Sequence, residues 1–250
     1  MIRVVLAAIL LAVASAHQAH AQDFEREARW RAEVVPGLVA GDAADIPGPG
    51  GRAFLGLLTS AGNADPAKAT LLVIVHGIGV HPDHGIIGKL RMDLADKGFA
   101  TLAIQMPVLA SDAPADLYEP LFANAAERIA SAAAWARSKG YQDLVLVSHS
   151  LGSRMSNAYF DGTPSPGFRA WAALGLGAPY SSKFAQAPRI PVLDVYGERD
   201  LEPVLKHAPA RERIASASGG RQQRIAGADH FYAGREADLA SLIADHARRK

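Results

Sequence analysis

The segment Asp143-Leu-Val-Leu-Val-Ser-His-Ser-Leu-Gly152 decides how this chain is organised. A run of branched apolar residues ends directly in a turn of small residues with Ser150 at its apex, and the residues that follow can begin a helix. The pattern Gly-x-Ser-x-Gly places a serine on a strained strand-to-helix turn, because its hydroxyl must project from the edge of a sheet. Gly152 fits this pattern, whereas Ser148 stands where the first glycine is expected and adds a Cβ there. The segment therefore predicts a strand, a turn with a candidate nucleophile, and a helix.

Apolar runs and helical periods alternate along the chain from Leu71 onward. We predict strands over residues 71–75, 99–105, 144–147, 168–176, 190–196 and 221–225, and helices over residues 82–97, 121–139, 151–160, 203–218 and 236–249. This alternation is typical of a parallel sheet with helices on both faces, whose ligand site lies at the carboxyl ends of the strands. The predicted fold class is α/β, with a mostly parallel, doubly wound sheet of about eight strands.

The chain before Leu71 predicts the antiparallel edge of this sheet. Residues 34–40 and 53–59 fit two short strands, and the breaker cluster Pro47-Gly-Pro-Gly-Gly51 between them fits only a turn. Residues 23–33 are compatible with either a short helix or an extended arm, and the sequence leaves both open.

Composition limits the possible classes of protein. A length of 250 residues matches one α/β domain, and contents of 49% hydrophobic and 20% charged residues are those of a folded protein. The chain contains no cysteine. Disulfides, thiolate nucleophiles and cysteine metal sites are therefore excluded.

Residues 1–21 have the features of a signal peptide. Arg3 supplies the positive charge, residues 4–13 form an apolar run, and Ala19-His20-Ala21 matches a cleavage site before Gln22. We predict a signal peptide over residues 1–21, a single domain over residues 22–250, and a periplasmic or secreted location. Because the apolar run is too short for a hydrocarbon core of roughly 30 Å, we expect no stable membrane insertion after the signal is removed.

The charge balance of the predicted mature chain gives no sign of a polyanionic partner. Arg3 is the one charged residue in the first 21, so the remainder holds 25 basic and 25 acidic side chains. We therefore expect no nucleic-acid partner. The oligomeric state is left open.

Three reactive side chains fall at the ends of predicted strands: Ser150, Asp200 and His230. A serine hydroxyl is a weak nucleophile at neutral pH, so it needs a base within hydrogen-bond reach. That base in turn needs a carboxylate to fix its tautomer and stabilise its charged form. Since the strand ends of a doubly wound sheet share one edge, these residues are expected to meet there.

The carboxylate has competitors close by in the sequence, namely Asp194, Glu198 and Asp229. Asp194 lies within a predicted strand and Asp229 adjoins the histidine. The orienting acid is expected in the loop after the strand, which favours Asp200.

Four motifs occur together in a characteristic order. They are His76-Gly77, Ser148-His-Ser-Leu-Gly152, Tyr196-Gly-Glu-Arg-Asp200 and Gly227-Ala-Asp-His-Phe231. With them the chain resembles the α/β-hydrolase superfamily over nearly all of its predicted mature length, and it is similar to compact secreted bacterial serine hydrolases of undefined substrate.

This resemblance implies a role for each matching residue. Ser150 is expected to be the nucleophile, His230 the general base and then acid, and Asp200 the orienting carboxylate. The backbone N–H groups of Ile78 and Leu151 are expected to form an oxyanion hole. The implied reaction is acyl transfer from an ester to water through an acyl-enzyme, with thioester and amide bonds as alternatives and with no cofactor.

Two other classes of function are kept as alternatives. The first is an inactive binding protein on the same fold, since fold does not imply function. The second is a metal-dependent hydrolase, because His76, His81, Asp83 and His84 are side chains that bind zinc. His76 is already explained by the His-Gly motif, and the other three follow no recognised ligand spacing, so no metal is expected.

The connector between the strands near Leu176 and Ile190 is too short for a cap domain. We therefore predict an open site, covered at most by residues 106–118, that takes small or extended esters. The expected partner is a small-molecule ester substrate.

Overall fold

Eight strands form a single sheet within residues 22–163, 167–188 and 190–249, which are the residues that the computed structural model describes. The strands are β1 (Asp42–Ile46), β2 (Phe54–Thr59), β3 (Thr70–Val75), β4 (Ala100–Ile104), β5 (Asp143–His149), β6 (Ala170–Leu174), β7 (Val192–Arg199) and β8 (Arg221–Asp229). Their order in space is β1-β2-β4-β3-β5-β6-β7-β8, and all pairings are parallel except those of β2 with β1 and β4. The predicted α/β class with a mostly parallel sheet is confirmed. The predicted signal peptide, residues 1–21, lies outside the described residues.

Helices cover both faces of the sheet. They are α1 (Phe24–Val34), α2 (Gly85–Asp96), α3 (Phe122–Ser138), α4 (Leu151–Gly162), α5 (Ser182–Gln186), α6 (Glu202–Ala217) and α7 (Glu236–Arg248). Successive strand residues point to opposite faces, so Leu144 and Leu146 enter the core under α3 and α4, while Val145 and Val147 enter the core under α2 and α7. The apolar run of β5 is thus buried on both faces, as is typical of a strand in a parallel sheet with helices on both sides.

The first strand lies later in the chain than predicted. Residues 34–40 form no strand, and β1 is Asp42–Ile46. Val34, Val35 and Leu38 instead pack from a helix end and a turn against the core under α2 and α7. An outer edge strand can hold polar residues because one face meets solvent, and in β1 only Ile46 is buried.

The segment left open between helix and arm is helix α1. The side chain of Asp23 caps its N-terminus by accepting the N–H of Arg26 at 2.8 Å.

Strands β7 and β8 both run further than predicted. β8 was predicted to end at residue 225 but continues to Asp229, so the first residues of the Gly227 motif belong to the strand. A bulge between Gly197 and Arg199 shifts the register before Arg199 pairs with Asp229. A Cβ on Gly197 would lie 2.6 Å from the carbonyl oxygens of Ala228 and Asp229, so only glycine allows this close approach. The longer pair brings the residues that follow each strand, Asp200 and His230, side by side.

The connector after β6 contains only the short helix α5, and the described part of the chain has no cap domain. None of the helices in the described ranges is long and apolar enough to cross a membrane. Because no cap domain covers them within the described residues, the carboxyl ends of β3, β5, β7 and β8 are accessible at one edge of the sheet.

Candidate active site

The turn after β5 holds Ser150 in an unusual backbone conformation. Its φ is 56° and its ψ is −122°, a region that costs a non-glycine residue free energy. Two backbone hydrogen bonds hold the turn, from Ser150 N–H to Leu174 O at 2.8 Å and from Ser153 N–H to Ser150 O at 2.9 Å. A Cβ on Gly152 would lie 2.3 Å from His76 O, so this position needs glycine because α4 packs directly on the end of β3.

Ser148, which stands where the motif has glycine, is part of a buried hydrogen-bonded group. Its Oγ accepts the indole N–H of Trp171 at 2.8 Å and lies 3.2 Å from the Oγ of Ser153. Ser153 in turn donates to Ser148 O at 2.8 Å. A buried indole N–H needs an acceptor, and the Ser148 hydroxyl supplies it from the neighbouring strand. The departure from the motif is therefore matched by Trp171 on β6.

The structure brings Ser150, His230 and Asp200 into one hydrogen-bonded chain. His230 Nε2 lies 2.8 Å from Ser150 Oγ, and His230 Nδ1 lies 2.5 Å from Asp200 Oδ1. Because an ionised carboxylate only accepts, the proton of neutral His230 is on Nδ1, which leaves Nε2 free to accept the serine O–H. His230 and Asp200 are buried, and Ser150 is partly accessible.

Asp200 is held ionised by its hydrogen bonds. Burial acts to raise its pKa, but the hydrogen bond from His230 and those from the backbone of Gly197 and Leu201 outweigh burial and lower the pKa below its ordinary value. The two backbone N–H groups lie 3.0 and 2.8 Å from the carboxylate oxygens. The carboxylate is thus fixed in position and charge beside the imidazole.

The three competing acids have other partners. Asp194 is fully buried within β7 and pairs with Arg211 at 2.7 Å. Glu198 accepts the N–H of Gly227 at 2.9 Å, and Asp229 accepts two backbone N–H groups of the turn that follows it. Of the four carboxylates considered from the sequence, Asp200 is the one in contact with His230.

The two backbone groups expected to form an oxyanion hole belong to residues that line a cavity together with Ser150. Leu151 is the first residue of α4, so its N–H has no partner within the helix, and Ile78 follows the His-Gly pair at the end of β3. Within the described residues no acceptor is bonded to either N–H. Ile78, Ser150 and Leu151 also line one cavity together, so both groups are free to meet a ligand there.

His76 is a buried neutral anchor for the loop that carries Ile78. Its Nδ1–H donates to Gly77 O at 2.8 Å, and its Nε2 accepts the N–H of Met106 at 2.8 Å. Burial lowers the pKa of His76 to about 3. Both ring nitrogens are therefore engaged, and the imidazole links the end of β3 to the chain leaving β4.

The histidine cluster considered as a metal site is not assembled as one. His81 Nδ1 accepts the N–H of Asp83 at 3.3 Å, and Asp83 pairs with Arg91 at 2.7 Å. No group of three or more histidine, aspartate or glutamate side chains in the described ranges is arranged to hold a metal ion. The geometry thus gives the metal alternative no ligand set.

His149 has a structural role that the sequence did not indicate. Its Nε2–H donates to the backbone carbonyl of His230 at 2.9 Å, and the two rings lie 4.9 Å apart. Burial, followed by the neighbouring His230, lowers the pKa of His149 to about 4, so the ring is neutral. The only sequence signal was its place beside Ser150 at the end of a buried strand. Through this hydrogen bond His149 fixes the backbone of His230.

Two cavities meet at Ser150 and His230. The larger has a volume of about 410 Å³ and is walled by Val80, Ile86 and Ile87. Its described lining contains no aspartate, glutamate, lysine or arginine. The smaller, of about 210 Å³, is bounded by Ala115, Leu151, Gly177, Pro203 and Val204, with Arg154 as its one charged lining residue among those described. Ala115 belongs to residues 106–118, which we predicted as the most that could cover the site.

We expect Ser148→Ala to destabilise the protein by about 1–3 kcal/mol, because it leaves the buried Trp171 N–H without an acceptor. Urea unfolding followed by circular dichroism measures this change. Ser156→Ala on α4 is the matched control, since the Oγ of that buried serine has no partner among the described residues. In the Trp171→Phe background the effect of Ser148→Ala should largely disappear. An equal loss in both backgrounds would contradict the assignment.

Three solved structures illustrate what this chain resembles. Est1E from Butyrivibrio proteoclasticus superimposes with a TM-score of 0.65 at 17% identity, covering 81% of this chain and 96% of that one. Dienelactone hydrolase from Anabaena variabilis gives 0.63 at 18% identity, covering 82% and 96%. An α/β serine hydrolase without a lid from Xanthomonas campestris gives 0.61 at 15% identity, covering 85% and 95%.

Sequence comparison gives no closer assignment. No protein-family model matches the chain, and no curated protein matches it. At these low identities the structural similarity establishes the fold. This chain has the α/β-hydrolase fold, and no lid domain lies among its described residues.

Proposed function

We propose that this protein is a serine hydrolase that cleaves carboxylic ester bonds. The observation that carries the proposal is the hydrogen-bonded chain from Ser150 Oγ through His230 to Asp200, at 2.8 and 2.5 Å, at the open edge of the sheet. Nucleophile, base and orienting acid are thus aligned before any substrate arrives. The fold shared with Est1E and with the serine hydrolase from Xanthomonas campestris supports the same class of reaction.

In the first step Ser150 Oγ attacks the ester carbonyl carbon while His230 Nε2 takes the hydroxyl proton. The ring then carries a positive charge, which the ionised Asp200 stabilises through Nδ1–H. The tetrahedral intermediate collapses as His230 returns the proton to the leaving alcohol. An acyl group remains on Ser150.

The negative oxygen of the intermediate would be bound by the N–H groups of Ile78 and Leu151. Leu151 begins α4, so the positive end of the helix dipole also faces this oxygen. Losing one such donor typically costs about 3–4 kcal/mol of transition-state stabilisation. Water activated by His230 then releases the acid by the same route in reverse.

The larger cavity supports a preference for one uncharged, apolar group in the ester. Its volume of about 410 Å³ falls within the roughly 300–1,000 Å³ typical of small-molecule sites. A charged group entering it would lose its hydration without gaining an ionic partner from the described lining. Est1E has been solved with ferulic acid bound, and we propose that this chain also accepts aryl or medium-chain esters. Thioester and amide cleavage remain second to esters.

The proposal includes export. Residues 1–21 would be removed as a signal peptide, and residues 22–250 would act as a single domain in the periplasm or outside the cell. This part rests on the amino-acid sequence. The proposed enzyme needs a small-molecule ester as its only partner and no cofactor.

Substitution of the three aligned residues tests the mechanism. We expect Ser150→Ala to abolish hydrolysis of p-nitrophenyl butyrate, and Asp200→Asn to lower kcat by about 10⁴-fold because His230 loses its tautomer and its counter-charge. Steady-state kinetics on the folded variants measures both effects.

Glu198→Gln is the matched control for Asp200→Asn, since Glu198 lies two residues away and has other partners. It should keep near wild-type kcat. Wild-type kcat in Asp200→Asn together with a large loss of kcat in Glu198→Gln would show that Glu198, and not Asp200, is the orienting acid.

A series of p-nitrophenyl esters tests the substrate preference. Each acyl methylene buried in the larger cavity should raise kcat/KM about fourfold, from about 0.8 kcal/mol of burial. In Ile86→Trp, which fills that cavity, the octanoate should lose this advantage while the acetate is hydrolysed as before. Equal kcat/KM values for an octanoate and an ester ending in a carboxylate would contradict an apolar site.

A further inference from the structure

Helix α1 is attached to the candidate site by polar contacts rather than by a hydrophobic face. None of its eleven residues, all within the described range, is buried. Arg26 nevertheless extends from it to two loop carbonyls, donating from Nη2 to Gly79 O and from Nη1 to Leu109 O, each at 2.8 Å. Val34, at the end of α1, packs partly buried against the core under α2 and α7. A short helix with so little buried surface gains little from packing, so the polar contacts of its first turn are expected to fix its position.

The first of these carbonyls belongs to the loop that carries the candidate oxyanion donor. Ile78 lies between Gly77, whose carbonyl is held by His76 Nδ1–H at 2.8 Å, and Gly79, whose carbonyl is held by Arg26. Both neighbours of Ile78 are therefore tied to other parts of the molecule. Such a loop has no strand or helix ladder to fix its peptide groups, so its orientation depends on these two contacts.

The second carbonyl joins the same arginine to the chain that leaves β4. Leu109 N–H is bound to the hydroxyl of buried Tyr118 at 3.2 Å, so the Leu109 carbonyl is a fixed point. A planar guanidinium that donates to two carbonyls cannot move without losing both hydrogen bonds. Arg26 thus ties the Gly79 carbonyl to the fixed carbonyl of Leu109.

Arg26 itself is held by two residues, Asp23 and Trp30. Its backbone N–H is bound to the Asp23 carboxylate at 2.8 Å, and the Asp23 N–H donates to Val108 O at 2.7 Å. The guanidinium carbon lies 4.5 Å from the ring centre of Trp30, a cation–π contact one turn along the helix.

The next residue of α1 strengthens the same attachment. Glu27 pairs at 2.9 Å with Arg128, a buried residue of α3 that also donates to Gln105 O at 2.9 Å. The first turn of α1 is therefore fastened to the end of β4, next to the loop that Arg26 reaches.

We propose that Arg26 is a positioning residue that holds the Ile78 N–H in place for the negative oxygen of the transition state. This inference rests on the proposed function, because it assigns Arg26 to the oxyanion hole of that reaction. Arg26 touches no reacting atom. It acts through the Gly79 carbonyl, one residue from the donor.

The value of kcat should depend on how accurately the Ile78 N–H is positioned. A misplacement on the order of 1 Å at a catalytic group can cost about 10²-fold, and complete loss of one oxyanion donor costs about 10²–10³-fold. Arg26→Met keeps the length of the side chain but removes both hydrogen bonds. We expect it to lower kcat by about 10- to 100-fold with little change in KM, since the contact acts in the transition state.

The experiment compares Arg26→Met with Arg29→Met, the same substitution at an exposed position of the same helix. Rates of p-nitrophenyl butyrate hydrolysis are divided by the number of active sites, titrated with diethyl p-nitrophenyl phosphate, so that unfolded protein does not count. Inhibition constants are then measured for a trifluoromethyl ketone, which forms a charged tetrahedral adduct on the serine. The pH profile of kcat/KM is recorded for each variant.

In Arg26→Met we expect kcat per site to fall and the affinity for the trifluoromethyl ketone to fall by a similar factor. Both should be unchanged in Arg29→Met, and the pH profile of kcat/KM should be the same in all variants. Arg26→Lys, which can reach one carbonyl, should recover part of the loss and provides the comparison if Arg26→Met does not fold. Wild-type kcat per site and wild-type ketone affinity in Arg26→Met would overturn the inference alone. A wild-type protein that neither hydrolyses the ester nor reacts with the titrant would overturn the proposed function with it.

Discussion

The backbone of Ser150 is the constraint on which the rest of the site depends. A non-glycine residue at φ 56° and ψ −122° costs on the order of 1–3 kcal/mol, so the surrounding structure must enforce it. The enforcement comes from three strands: β5 delivers the residue, β6 accepts its N–H through Leu174 O, and the end of β3 leaves room only for glycine at position 152. The hydroxyl is thereby presented at the open edge of the sheet, where the bulged pair β7 and β8 supplies its two partners.

Around this turn the molecule buries polar groups in neutral form and pairs them. His76 and His149 follow the apolar runs of β3 and β5 and have pKa values lowered to about 3 and 4. Each donates a hydrogen bond to a backbone carbonyl at the site, that of Gly77 and that of His230. A neutral imidazole costs less free energy to bury than a charged one, and its N–H can still hold a backbone carbonyl by a hydrogen bond. Of the side chains hydrogen-bonded to His230, the histidine that the proposed reaction protonates, Asp200 is the ionised one.

The amino-acid sequence predicted the features that local pattern controls. The apolar run before Ser148 indicated a strand, and the ends of the predicted strands indicated where Ser150, Asp200 and His230 lie. The sequence did not predict the elements that depend on pairing between distant parts of the chain. The polar strand β1 has no apolar alternation, and β8 extends through Gly227 only because a bulge in β7 gives it a partner. The contacts of Arg26 with Gly79 and Leu109 join parts of the chain 53 and 83 residues apart, which no local pattern records.

The central claim is that Ser150 is a nucleophile activated by His230. The most direct measurement treats the folded protein with a fluorophosphonate probe and maps the adduct by mass spectrometry, with His230→Ala and urea-unfolded protein as references. The account predicts one adduct, on Ser150, that forms in the folded wild type and is nearly lost in both references, because an ordinary serine hydroxyl is too weak a nucleophile to react. Failure of Ser150 to react in the folded protein, while ester hydrolysis proceeds unchanged in Ser150→Ala, would contradict it.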